Sequence, residues 1–206
     1  MTFNLFGQSR KSKRPIYFLK TQGGFLFDAH PNNTYKGFSI FNGGLLKHKN
    51  GVLQGFDLEL IKYDSDTQKK TDGRRGYGWS REKESIELSY FRSYSVIGDI
   101  DKGLFVGGFA SAGLSKDFFW PSASSRYKYE EKCLCFGLGI KLDYFFKLKK
   151  KIYLDVSTKI TLVDFRLDRE QRFDPRIPYV WQLDKAFNID FLRNQFPLMI
   201  GLNFRL

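Results

Sequence analysis

The last eleven residues, FPLMIGLNFRL, alternate without a break between two kinds of side chain. Phe196, Leu198, Ile200, Leu202, Phe204 and Leu206 are large and apolar, and Pro197, Met199, Gly201, Asn203 and Arg205 are mostly small or polar. A period of two puts successive side chains on opposite faces of a strand, so this strand has one apolar and one wet face. The same period recurs upstream. In KCLCFGLGIKLDYFF (132–146) Leu134, Phe136, Leu138, Ile140, Leu142, Tyr144 and Phe146 oppose Cys133, Cys135, Gly137, Gly139, Lys141 and Asp143. KIYLDVSTKITL (151–162), ESIELSY (84–90) and GFDLEL (55–60) repeat it. No helical period is visible.

The pattern predicts strands at about 15–28, 34–47, 52–64, 82–96, 103–116, 129–147, 151–167 and 186–206. The pairs Gly23-Gly24, Gly43-Gly44 and Gly107-Gly108 interrupt the bulky alternation and predict bulges or sharp coiling there. HKNG (48–51) holds Asn50-Gly51, the dipeptide of a two-residue hairpin turn, and GDIDKG (98–103) and KLKKK (147–151) are also tight. The intervening connections, at 28–34, 63–81, 118–128 and 166–185, are longer. In an up-and-down meander every second connection lies at the same end of the sheet. The long loops therefore gather at one end, and the tight turns and both termini at the other.

Composition changes this picture little. The 206 residues contain 42% hydrophobic and 17% aromatic residues, including 22 Phe and 11 Tyr, with 19 Gly. That mix suits sheets. Nothing approaches the roughly 20 apolar residues of a membrane helix, but strand spans average out in any hydropathy window. The net charge of +12 invites a nucleic-acid reading. The Lys and Arg residues cluster instead at turns and chain ends, as in SRKSKR (9–14), and no nucleic-acid-binding pattern accompanies them. Nucleic acid is not expected as a partner. Cys133 and Cys135 stand two apart on one strand, about 6.5–7 Å, marginal to too far for an unstrained disulfide. Only His30 and His48 could join them as soft ligands, so two small packed side chains are expected rather than a metal site. No cofactor is expected, and no secretory signal is visible in MTFNLFGQSRKSKRP.

Eight amphipathic strands, short turns at one end, long loops at the other and a final strand ending NFRL resemble the small eight-stranded outer-membrane β-barrels. The likeness is to the OmpA/OmpX type and its relatives common in Bacteroidetes-type bacteria. LFVGGFASAGLS, CFGLGIKLDYFF and KIYLDVSTKITL are similar to that family's strands five to seven. The resemblance implies an all-β, eight-stranded antiparallel up-and-down transmembrane barrel over 15–206, preceded by a basic tail at 1–14. It also implies a bacterial outer-membrane location, a monomeric barrel, and a C-terminal signal for the assembly machinery. Phe204 matches that signal, while the chain ends in Leu206 where the family favours Phe.

If the apolar faces look outward, the inward set includes Asp57, Glu59, Glu87, Lys141, Asp143, Asp155, Lys159, Asn203 and Arg205. A bore that eight strands enclose is only wide enough for side chains to fill. Both charge signs there predict an ion-pair network that blocks it, with Lys141 near Asp155 or Asp143 and Arg205 beside the strand of Lys159. A structural or interaction role is expected, carried by outer loops. Arg74, Arg75 and Trp79 in one loop and Arg172, Arg176 and Trp181 in another suit lipopolysaccharide phosphates or a protein partner. Arg10, Lys11, Lys13, Arg14, Lys47, Lys49, Lys149 and Lys150 are expected to ring the periplasmic rim. Two alternatives stay open. One is a lipid-modifying enzyme (acyl transfer or deacylation), in which only His30 is placed to act as base. The other is a soluble lipocalin-like binder whose apolar face points inward.

Overall fold

The computed structural model describes residues 14–28, 33–68, 78–121, 128–173, 183–191 and 195–206. Strands β1 (Ile16–Asp28), β2 (Asn33–Lys49), β3 (Val52–Gln68), β4 (Gly78–Gly98), β5 (Lys102–Pro121), β6 (Lys128–Lys149) and β7 (Ile152–Phe173) each pair antiparallel with the next. β8 (Leu183–Phe191) and β9 (Gln195–Arg205) both pair with β7, and β9 returns to β1. The sheet is therefore closed in an all-β, up-and-down barrel with eight positions around the ring.

Closure reaches the last residue. Leu206 N donates to the Tyr17 carbonyl at 3.0 Å, just past the Phe18–Arg205 pair. The tight turns behave as their residues dictate. Lys49 pairs with Val52 around Asn50 (φ 53°) and Gly51 (φ 75°), the two left-handed residues of a type I′ hairpin.

Two sequence expectations need correction. The predicted strand 186–206 is two elements. Val163 pairs with Phe191 and Thr158 with Leu198, so five steps on β7 match seven on the β8–β9 side. Two surplus residues cannot join a regular ladder, and the interruption at 192–194 lies outside the described residues. The glycine pairs are not bulges either, since register runs unbroken through Gly23, Gly43-Gly44 and Gly107-Gly108. The irregularities fall at Tyr35/Gly37, Ser95/Ile97, Leu138/Gly139 and Lys147/Lys149. The third skips Leu162 on β7 and exchanges its faces. Tyr153, Asp155, Ser157 and Lys159 are buried before it, and Asp164 after it.

The outward face is apolar. Leu19, Phe41, Phe56, Leu88, Leu138 and Ile200 are among its large exposed side chains. Most of the buried apolar residues among those described form one cluster near the tight-turn end, where Ile100 folds in from the 99–101 turn beneath Phe18, Leu53, Phe105, Phe145 and Tyr153. Phe18 meets Tyr153 edge-on at 5.1 Å and Phe105 meets Phe145 at 5.7 Å. Such pairs add to their area burial. The lipocalin-like expectation, with the apolar face inward, does not describe this barrel.

Inward glycines leave room for large partners. A Cβ at Gly201 would strike the Thr21 carbonyl oxygen on β1. Gly201→Val should lower unfolding stability by about 1–3 kcal/mol or more, the range for overpacking, and weaken closure. Leu202→Val on the outer face should shift the urea midpoint in detergent far less.

Candidate functional site

Above the apolar floor the interior is ionic. Lys20 on β1, Asp57 on β3, Lys141 and Asp143 on β6 and Asp155 on β7 meet in one layer, each almost wholly buried. Lys141 Nζ donates to Asp57 Oδ2 at 2.6 Å and lies 3.3 Å from Asp143 Oδ1. Lys20 Nζ stands 3.6–3.7 Å from Asp57, Asp143 and Asp155. Asn203 Nδ2 donates to Asp155 Oδ2 at 3.0 Å. The Phe91 ring sits 3.3 Å from Lys141 Nζ, so the ammonium also meets an aromatic face.

A second layer joins Lys159 on β7 to Glu59 on β3 at 2.9 Å and to Glu87 on β4 at 3.3 Å. Toward the long connections, Arg166 gathers Glu131 (3.2 Å), Asp168 (3.3 Å) and Asp190 (3.7 Å). The face exchange at Leu162 is what turns Arg166 and Asp168 inward. Cys133 and Cys135 are buried on the neighbouring stretch of β6 and form no disulfide.

These contacts alter the expected partnership. Lys141 and Asp155 do not form the anticipated pair. Register sets Lys141 opposite Lys159 and Asp155 opposite Phe145, four positions away, and Lys141 reaches across the bore to Asp57 instead. Arg205 is also displaced from the network, because it stands exposed at the tight-turn rim. The remaining expected charges, Asp57, Glu59, Glu87, Asp143, Asp155 and Lys159, lie in the two layers. Lys20 was missed. Its signal is modest, the even-numbered member of IYFLKTQ between Leu19 and Thr21, with Phe18 and Gln22 on its face.

The two layers hold three lysines against five carboxylates. Charges so buried are stable only when mutually compensated and hydrogen-bonded, so the layers lock the wall strands to one another. Of the other expected site residues, Phe204 and Leu206 lie outward and exposed at the tight-turn end. Arg74, Arg75, Arg176 and Trp181 lie outside the described residues, as does His30. Trp79 falls on β4 and Arg172 on β7 by backbone position.

A closed antiparallel ring with an apolar exterior and an ionic interior is the fold of outer-membrane β-barrels. A major outer membrane protein from Thermus thermophilus has a similar structure, with a TM-score of 0.56, 10% identity, and coverage of 93% of this chain and 99% of that one. The outer membrane protease OmpT from Escherichia coli aligns over 93% of this chain and 96% of its own at 10% identity, with a TM-score of 0.35. At such identity the first likeness shows the fold alone, and the second is too weak to weigh. No protein-family model matches the chain, and no curated protein matches it in sequence.

Removing one partner of a buried pair leaves the other uncompensated, at a cost of about 3–5 kcal/mol. Lys141→Ala should therefore lower stability by that order, read from denaturant unfolding in detergent micelles. Arg205→Ala, at the exposed rim, should stay within about 0.5 kcal/mol of the parent. Equal effects would refute the inward placement of Lys141 relative to Arg205.

Proposed function

We propose that this chain is an integral, monomeric barrel of a bacterial outer membrane, of the small OmpA/OmpX type, with a structural or interaction role rather than an enzymatic one. The observation that carries the reading is the reversal of ordinary burial. Large apolar side chains cover the outside of a sealed ring, and lysines and carboxylates fill its inside. Water is the wrong solvent for that exterior, and among sheets only a closed ring satisfies every backbone group in hydrocarbon.

The long connections face the cell exterior and carry the interaction role. The tight turns, with Arg14, Lys47, Lys49, Lys149 and Lys150, face the periplasm near anionic headgroups. Phe204 and Leu206 present the signal read by the outer-membrane assembly machinery. The ionic layers and the apolar floor close the bore, so the barrel is plugged rather than porin-like. Outer-membrane lipids, including lipopolysaccharide, and a protein at the long connections are the partners.

Expressed behind a signal peptide, the chain should fractionate with outer membranes and migrate differently on gels before and after boiling. Reconstituted in planar bilayers, it should be silent or show rare small events. Steady porin-sized conductance would overturn the plug, and recovery as a detergent-independent soluble monomer would overturn the membrane reading. Protease added to intact cells tests sidedness separately, with cleavage expected within 65–81 or 168–184 and none at 147–151.

A further inference from the structure

Along the outer wall, backbone register aligns Phe41 with Leu60, Leu60 with Ile86, Ile86 with Leu114, Leu114 with Leu134 and Leu134 with Leu167. This is an unbroken apolar row across β2–β7, and every member is exposed. Two residues along each strand the character changes at once. Lys62 pairs with Glu84, Glu84 with Lys116 and Lys116 with Lys132, and the backbone register continues to Arg169 and Lys185. A groove of about 810 Å³ runs along the boundary, floored by the apolar row and bordered by Lys62, Glu84, Lys116 and Lys132. Strands in a barrel are tilted, so a row perpendicular to them climbs around the wall and the groove runs obliquely to the membrane.

We infer that this groove binds a phosphorylated, multiply acylated lipid of the outer leaflet, namely the lipid A portion of lipopolysaccharide. The inference deepens the membrane reading above by naming one partner and its seat. Acyl chains match the exposed leucines, which in water would be a costly patch. The headgroup argument rests on the lysines. Lys116 Nζ and Lys132 Nζ converge on one oxygen, Glu130 Oε1, at 3.2 and 3.3 Å. That oxygen marks where a phosphate oxygen is held by two ammonium groups, each with further N–H donors to give. Lys62 on β3 is already held by two carboxylates, Glu84 at 2.8 Å and Glu82 at 3.2 Å, so the surplus positive charge lies with Lys116 and Lys132. That pair stands toward the long connections, the end that the membrane reading places in the outer leaflet, where the phosphorylated lipid is lipid A. The existing carboxylates compete with the ligand, so binding trades an internal ion pair for an external one.

That competition gives a test with opposite signs. The full-length barrel, purified in mild detergent and stripped of lipid, is titrated with purified lipopolysaccharide and, separately, with phosphatidylglycerol. Apparent thermal stability and native mass spectrometry are the readouts. Lipopolysaccharide should raise the melting temperature and bind in a stoichiometric complex, whereas phosphatidylglycerol should do neither to a comparable extent. The double variant Lys116→Gln/Lys132→Gln should weaken lipopolysaccharide binding roughly tenfold, since charge-assisted contacts are lost. Glu130→Gln frees both lysines and should tighten it. If the double variant fails to fold, the single variant Glu130→Gln still decides the matter. Equal binding of both lipids, or a Glu130→Gln protein that binds no tighter, would overturn the inference. Because the titration is done in detergent, its failure leaves the fractionation and protease results standing.

Discussion

Pairing of β9 with β1 is the constraint from which the other features follow. An open sheet of these strands would leave two rows of unsatisfied N–H and C=O groups, each costing several kcal/mol in hydrocarbon. The β1–β9 ladder runs from Phe18–Arg205 to Asp28–Gln195, and a further bond from Leu206 to Tyr17 extends it to the chain terminus. This explains why the two-residue period of the final segment persists where most chains fray. Every residue of that strand pairs in the ring, and every second one presents an apolar side chain to the surroundings.

Closure with eight positions also fixes a narrow interior, and the inward residues divide accordingly. Where the bore holds large groups, neighbouring inward positions are glycine. A side chain at Gly44 would run into Asp57, the carboxylate that Lys141 needs. The inward members of the pairs, Gly24, Gly44 and Gly107, therefore serve close packing inside the ring rather than strand irregularity. Desolvation makes each buried ion unfavourable alone, so charges appear in layers in which each lysine touches two or three carboxylates. The apolar floor completes the division, since aromatic rings need no polar partner at the end where the strands converge on tight turns.

Much of this was legible in the sequence, because the deciding signal was local. The division of 55–60, 84–90 and 132–146 into an apolar and a polar face follows from alternation alone, though which face looks outward does not, and Asn50-Gly51 declares its own turn. What escaped notice depended on relationships between distant strands. Lys20 reads as an ordinary strand lysine until β1 is placed beside β9 and opposite β6. Phe18, Phe105, Phe145 and Tyr153 sit among so many aromatic residues that parity alone did not single them out as an interior floor. The break between β8 and β9 is a mismatch of residue counts against β7, and no property of 186–206 by itself encodes it. Arg205 shows the opposite error. Its parity is inward, but its position at the strand end puts it in the open.

Alternation has a further blind spot, and the ion pairs cover it. A slip of one residue in any hairpin turns apolar side chains inward and is rejected outright. A slip of two preserves every face and costs the exterior almost nothing. It moves an inward side chain by roughly 6.5–7 Å along its strand. Asp57 with Lys141 joins β3 to β6, Glu59 with Lys159 joins β3 to β7, and Lys20 with Asp143 joins β1 to β6. None of these couples adjacent strands, so each measures stagger accumulated over several ladders. A displacement of that size separates pairs now at 2.6 to 3.7 Å and leaves charges stranded in the bore. The apolar pattern keeps the faces of the strands in phase, and the cross-bore pairs help to set how far each strand is shifted against the next. The ladder hydrogen bonds can form in either register, so the buried charges act together with the tight turns to exclude the even slips.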